Sequence, residues 1–310
     1  MAEYGAPAAN TTRRRYRTVP SGASAVSRNT HFKPTRLCEA PESATATGNG
    51  HDFGSDWFQQ NSLLTGMLNA YTLLVPDNER YYIRALANAM QSISTETQKQ
   101  EIRKFIRQES SHGEAHRAFW ATIPRLHAAE RYFLRPVNFL LYRVLEPLQL
   151  AWLRLSIVAA IEHINASWAA FFLGTNAMQD APRDLKRLFE WHFIEEMEHK
   201  HVAHEALTAV FPGLQKRRIG AVFAFPLFSI ILLYGAFVLS AKELLKSPLS
   251  TARAAILWSL RSGFFRANAE MFIAYMRRDF DPKAATALNS PEAGVPPLSL
   301  QHGKQSLGAQ

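Results

Sequence analysis

Two pairs of a glutamate and a histidine, each three residues apart, are the residues of this sequence best suited to chemistry. Glu109 pairs with His112, and Glu196 pairs with His199. In a helix this spacing places a carboxylate and an imidazole side by side on one face. His192 lies four residues before Glu196 and shares its face. Carboxylate oxygens and imidazole nitrogens grouped in this way are typical ligands of a metal ion.

The neighbours of each pair indicate which helix face turns inward. The stripe of positions that shares a face with Glu196 or with Glu109 is otherwise mostly apolar, as expected of a face in a protein core. An overlapping pair, Glu198 and His201, lies on a mostly charged stripe, and we expect it to face solvent. The apolar members of the inward stripes are Ile102, Phe105, Ile106, Leu185, Leu188, Ala203, Ala206 and Val210.

Two further glutamates lie on apolar stripes. Glu79 precedes the first pair, and Glu162 lies between the two pairs. A Glu-x-x-His pair on each of two helices and one glutamate on each of two others form the dinuclear site of ferritin-like bundles. Such ligands suit iron or manganese, with zinc as an alternative. A buried Glu–His network without metal is the competing interpretation, but it would leave four buried carboxylates without neutralising cations.

The remaining reactive residues support no other site. His116 follows His112 by one turn, and the sequence leaves open whether it supports a metal ligand or only packs in the core. Cys38 is the single cysteine, which excludes an intrachain disulfide and a cysteine-based zinc or iron–sulfur site. The sequence has no Ser/His/Asp arrangement of recognisable spacing, no glycine-rich phosphate loop and no dinucleotide fingerprint.

Four segments resemble a known protein family. Over roughly residues 30–280 the chain resembles the bacterial family of predicted metal-dependent hydrolases, and the segments are 57–58, 78–84, 108–112 and 195–203. The spacing of His192, Glu196 and His199 is also similar to that of p-aminobenzoate N-oxygenase, a ferritin-like di-iron enzyme. This second resemblance implies a di-iron centre with His192 as a seventh ligand. It does not extend to the substrate.

The site and the resemblances leave three functions open. We first expect an oxidase or oxygenase that uses two iron ions, dioxygen and an unidentified electron donor to oxidise a small apolar or aromatic molecule. The alternative is a metal-dependent hydrolase in which two metals activate water. Iron storage ranks third, because a long uncharged helix and loose tails fit poorly in a cage subunit. The apolar residues expected near the site, which also fit plain core packing, are Phe105, Leu155, Trp168 and Phe193.

The elements that must position these residues are helices. Apolar residues recur at spacings of three and four, and clusters of β-branched residues are rare. We therefore expect an all-α chain, a ferritin-like helical bundle with additional C-terminal helices. The expected helices cover about 56–92, with an interruption at Pro76, and about 94–120, 147–174, 182–211, 215–246 and 249–280.

Composition divides the chain into three parts. We expect a disordered basic tail over 1–52, a ferritin-like di-metal domain over 53–282 and a second disordered tail over 283–310. The net charge is +9, of which +6 lies in residues 1–36. Because so little positive charge remains for the folded part of the chain, we expect no specific nucleic-acid partner. The arginine run 13–15 is not followed by an apolar stretch, so it is no secretory signal, and we expect a cytoplasmic protein.

The fifth predicted helix has no charged residue from Ile219 to Ala241, and basic residues precede it. About 20 apolar residues can cross a bilayer, but Pro226, Gly235 and two serines weaken that interpretation. We prefer a helix buried in the bundle or in a homodimer interface. Contact with a membrane surface through 219–241, which would make the protein peripheral to the membrane, stays open as the alternative.

Overall fold

A computed structural model of the chain describes residues 53–121, 123 and 129–283, and these form an all-α structure in which no strand occurs. The two expected tails lie outside the described residues, apart from Lys283. Eight regular helices follow one another, and an irregular helical segment over 130–148 lies between the second and the third. The helices are α1 Ser62–Met90, α2 Glu96–Ala121, α3 Ala151–Gly174, α4 Arg183–His199, α5 Val202–Val210, α6 Leu214–Leu244, α7 Pro248–Arg261 and α8 Phe264–Met276.

Helix α1 runs through Pro76 without a break, so the predicted interruption is wrong. Asn61 caps the helix by accepting hydrogen bonds from the N–H groups of Leu63 and Leu64. Proline lacks the N–H that would bond the carbonyl four residues earlier. Here that carbonyl belongs to Thr72, and Trp120 of α2 donates its indole N–H to it at 3.1 Å. A tertiary contact thus satisfies the carbonyl that the proline leaves free.

Two of the predicted helices are each divided in two. The helix expected over about 182–211 breaks at Lys200 and His201, where α4 ends and α5 begins. Both residues keep helical backbone angles, so the apolar pattern continues across the break. The helix expected over about 249–280 breaks at Gly263, whose φ of 77° lies in the left-handed region that favours glycine.

Helices α1 to α4 surround the interior, and α5 to α8 add to this bundle at the C-terminal end, as the sequence predicts. The apolar helix α6 packs mainly against α1 and α3. The contact with α1 is close because a Cβ on Gly66 would lie 2.7 Å from the carbonyl oxygen of Ala236. Helix α6 therefore lies directly behind a helix that carries one of the candidate ligands, Glu79.

Candidate metal centre

The seven side chains that the sequence singles out meet in the interior of the bundle. Helix α1 supplies one of them, α2 two, α3 one and α4 three. All are buried, and the most exposed of them retains 3% of its accessible surface. We call this set the carboxylate–histidine cluster, and its members are Glu79, Glu109, His112, Glu162, His192, Glu196 and His199.

Short distances connect the members from helix to helix. His112 Nδ1 lies 3.4 Å from Glu79 Oε1 and 3.8 Å from Glu109 Oε1. His199 Nε2 lies 3.0 Å from Glu109 Oε1, and its Nδ1 lies 3.4 Å from Glu162 Oε2. All four helices are thereby linked through two imidazole rings.

Two groups within the cluster are compact enough to hold an ion each. Ligand atoms of Glu109, His112, Glu196 and His199 lie within 4.8 Å of one another. The same holds for Glu79, His112 and His192, so His112 belongs to both groups. The two groups therefore adjoin each other at one side chain.

The cluster has many buried polar atoms that lack hydrogen-bond partners. Among the described residues, the buried carboxylate oxygens of all four glutamates make no hydrogen bond of good geometry, although an imidazole nitrogen lies within 3.4 Å of one oxygen of each. His112 Nδ1 and both ring nitrogens of His199 are also buried and make no hydrogen bond of good geometry. Buried polar atoms are nearly always paired, and unpaired carboxylates are the most costly of them. These residues therefore fit bound cations, which would supply the missing partners of these oxygens and nitrogens.

Burial also changes the proton affinity of these groups in the metal-free chain. It raises the pKa of Glu79, Glu109 and Glu162 well above the ordinary glutamate value, and the negative charge of Glu196 raises each pKa further. Burial lowers the pKa of His112 and of His199. The lowered histidine pKa values keep the imidazoles neutral, which is the form that ligates metals. The raised carboxyl pKa values have the opposite effect, because a cation must displace the proton of each carboxylic acid that it binds.

A series of polar side chains contacts the imidazole of His192. His192 Nδ1 lies 3.1 Å from His116 Nε2, and the other nitrogen of His116 contacts the hydroxyl of Thr72. The hydroxyl of Tyr71 lies 3.3 Å from His192 Nε2. Of the two alternatives for His116, the structure therefore favours support of the candidate ligand His192. The sequence analysis missed Tyr71 and Thr72, because neither is a ligand type and both lie on a helix that looked interrupted.

Glu195 is a second neighbour that the sequence analysis missed. Its Oε2 lies 3.1 Å from His112 Nε2, and its Oε1 accepts a hydrogen bond from Trp191 Nε1 at 3.0 Å. A signal was present, because Glu195 lies three residues after His192 and four before His199, at the edge of the same face. The overlapping Glu198 faces solvent, as predicted, and pairs with Lys104.

A cavity of about 470 Å³ lies beside α1, and its lining includes Pro76 and Arg80 but no member of the cluster. Gly113 of α2 lies close to both Glu79 and Pro76: an added Cβ would lie 2.9 Å from Glu79 Oε2 and 3.5 Å from the Cα of Pro76, which lines the cavity. Arg117 also lines the cavity, and its positive charge acts on Glu79. Of the four apolar residues expected near the site, Phe105 contacts a cluster member directly, its ring centre 4.8 Å from that of His199.

Comparison with known proteins gives one match. A family described as predicted metal-dependent hydrolase matches residues 46–285, which include every member of the carboxylate–histidine cluster. No curated protein matches the chain, and no solved structure matches it.

Proposed function

The chain belongs to the family of predicted metal-dependent hydrolases, and we propose that it hydrolyses a small-molecule substrate with two metal ions held by the carboxylate–histidine cluster. The observation that carries this proposal is the burial of four glutamates together, whose eight carboxylate oxygens make no hydrogen bond of good geometry. Four glutamates confined to one interior would repel each other strongly without cations.

We assign all seven members as ligands. The adjoining groups around Glu109 and around Glu79 would each hold one ion, and His112, whose Nδ1 is common to both groups, would ligate one of the two. Glu162 contacts His199 and would complete the first group, because its oxygens also lack partners. Zinc and manganese are the metals that fit both this ligand set and hydrolysis.

Bound together, two such ions lower the pKa of a water molecule and polarise a carbonyl or phosphoryl group. The residues of the chain prepare the site for this chemistry. Glu195 accepts a hydrogen bond from His112 Nε2–H, which leaves Nδ1 free to face Glu79 and Glu109. His192 Nδ1 lies 3.1 Å from His116 Nε2, and if it donates its proton there, the lone pair of His192 Nε2 would face Glu196, whose Oε1 lies 2.9 Å away. These contacts fix the tautomers that a metal requires.

The substrate would approach through the cavity beside Pro76, because Pro76 of its lining and Glu79 of the cluster both lie close to Gly113. Arg117 and Arg80 line this cavity and provide positive charge at its surface. The cluster itself is closed to solvent. Water exclusion around the ions would strengthen every electrostatic interaction within the site.

Metal analysis combined with an activity screen tests the proposal. The purified chain, reconstituted with zinc or manganese, should bind close to two ions and cleave an ester or phosphoester in a metal-dependent manner. Glu196→Gln should lose both properties, whereas the matched control Glu198→Gln, altered on the solvent face of the same helix, should keep them. Absence of bound metal after reconstitution would refute the proposal.

A second candidate is the activation of dioxygen by two iron ions. The observation that favours it is the distribution of the ligands: a Glu-x-x-His pair on α2 and on α4, and one glutamate on α1 and on α3, as in ferritin-like bundles. Such an enzyme would oxidise a small apolar or aromatic molecule and would need an electron donor. Mixing the reduced, iron-loaded chain with oxygen decides between the candidates: a rapid change in absorbance favours oxidation, and no change together with zinc-dependent cleavage favours hydrolysis.

A further inference from the structure

The outer face of α6 is apolar and uncovered. The exposed positions of this helix recur every three or four residues, so they form one continuous stripe opposite the side that packs on α1 and α3. Only 33% of the most apolar 18-residue stretch is buried inside the chain, so the bundle does not cover this face, and burial in a homodimer interface, the other part of the expectation, stays a prediction. We call these residues the α6 stripe: Val222, Phe223, Ile230, Leu233, Tyr234 and Phe237.

The segment 130–148 contacts the α6 stripe, and helices α7 and α8 also expose apolar side chains. Tyr234 donates a hydrogen bond to the carbonyl of Tyr132 in the segment 130–148, and that segment exposes further apolar side chains such as Phe139. Helices α7 and α8 follow α6 in the chain and expose Leu260 and Ile273. Nearly all large apolar side chains that the described residues expose lie in these parts of the chain. Exposed apolar area of this extent is typical of an interaction surface.

Positive charge accompanies this surface. Residues 214–278 contain ten lysines and arginines against two glutamates, a net charge of +8. Residues 53–213, which contain the carboxylate–histidine cluster, have 16 basic and 17 acidic residues. The folded part is near neutral only on average, because its excess positive charge is concentrated in residues 214–278. Lys242 and Lys246 are exposed just beyond the C-terminal end of the α6 stripe.

We propose that this surface binds the anionic face of a lipid bilayer, with the α6 stripe inserted among the acyl chains. Apolar side chains flanked by basic ones are the pattern of helices that lie in a membrane interface. Anionic headgroups attract nearby lysines and arginines. A second copy of the chain is the less favourable occupant, because a symmetric dimer through this surface would bring two positively charged segments together.

The surface lies on the bilayer and does not cross it. Helix α6 packs along α1, and α1 packs along α2. Helix α2 exposes Arg103, Lys104 and Arg107. A spanning α6 would carry these charges to the depth of the hydrocarbon, which is costly. The other helix long and apolar enough to span, Ala151–Gly174, is mostly buried within the bundle.

Cosedimentation of the full chain with vesicles tests the proposal. Vesicles of phosphatidylcholine with about a third of phosphatidylglycerol should bind the chain about tenfold more tightly than phosphatidylcholine alone. Leu233→Asp should weaken this binding about tenfold, and so should Lys242→Glu combined with Lys246→Glu. Two matched controls alter other surfaces, Leu173→Asp on α3 and Arg107→Glu on α2, and each should change binding by less than about twofold.

Three results would overturn the proposal. One is no binding of the full chain to anionic vesicles. Another is binding that the variant Arg13→Gln, Arg14→Gln, Arg15→Gln abolishes while both α6 variants retain it, which would assign binding to the tail. The third is a lipid-free dimer that Leu233→Asp dissociates, without vesicle binding. If circular dichroism shows that Leu233→Asp misfolds, the exposed lysine pair decides the question.

Discussion

The interior of the four-helix bundle and the outer face of α6 depart from the ordinary distribution of side chains in opposite ways. The interior buries four glutamates and three histidines, groups that soluble proteins keep at the surface unless they are paired. The outer face exposes residues such as Leu233, at 67% of its accessible surface, that are usually buried. In each region the chain alone leaves groups without suitable partners. For each region we propose a partner from outside the chain: cations in one case, lipid in the other.

The difference between the regions lies in the cost of the missing partner. An exposed apolar side chain adds little to the free energy cost of folding, and it becomes unfavourable mainly because it promotes association of the chain in water. A buried unpaired carboxylate, in contrast, costs several kcal/mol. The interior should therefore respond strongly to single substitutions, and the outer face weakly.

The largest effect is expected at Glu196, which belongs to the compact group around Glu109. Glu196→Gln removes a charge that would neutralise a cation, so metal affinity should fall at least about 100-fold. The same variant should make the metal-free chain more stable, because it relieves repulsion among buried carboxylates. Elemental analysis and thermal unfolding with a chelator measure the two effects. Equal metal content in Glu196→Gln and in the control Glu198→Gln would contradict the assignment.

The second effect concerns pH. The pKa values of Glu79, Glu109 and Glu162 are raised in the metal-free fold, so the stability they contribute is full below the unfolded value of about 4.5 and is lost as pH rises towards the folded values. His112 and His199 act oppositely, but their contribution is complete above about pH 7.

Denaturant unfolding of the metal-free chain should therefore show stability that declines as pH rises above about 7. Glu109→Gln should flatten this decline, since it removes one of the raised groups. An identical slope in the variant and the natural chain would show that Glu109 does not titrate in this range.

A smaller effect is expected at His192, which the resemblance to the N-oxygenase suggests as the seventh ligand. His192→Ala should weaken the binding of one ion about 10- to 100-fold and leave the other ion bound. Cobalt substitution would report the change as an altered visible spectrum, and circular dichroism should show the helices intact. His201→Ala, on the more polar face, is the matched control. Full metal content and an unchanged spectrum in His192→Ala would remove this residue from the ligand set.

The smallest of these effects is expected at Gly113. An alanine there places its Cβ 2.9 Å from Glu79 Oε2, so the carboxylate must shift by a few tenths of an ångström. We expect a loss of about 1–3 kcal/mol in stability of the metal-loaded chain, offset in part by the better helix propensity of alanine. Ser110→Ala, exposed on the same helix, should have little effect. A stability gain in Gly113→Ala would show that Glu79 has room to move.

The sequence predicts the inward faces of the helices more successfully than the helix ends. The apolar stripes around Glu109 and Glu196 identified side chains that the structure buries together, because helical periodicity decides which residues share a face. The interruption at Pro76 was wrong, because the compensating donor, Trp120, lies 44 residues away in sequence. The break at Gly263 was also missed, because a glycine is common within helical patterns and only its backbone angle there reveals the turn.

The sequence by itself determined the helical class, the seven members of the carboxylate–histidine cluster and their order along the chain, since these depend on residue type and local spacing. Only the tertiary structure decided which nitrogen of His112 faces the glutamates, that Glu195 and His116 support the cluster, and which side of α6 stays uncovered. These features depend on contacts between helices far apart in sequence. Local periodicity places a side chain on a face, but the packing of neighbouring helices determines what that face meets.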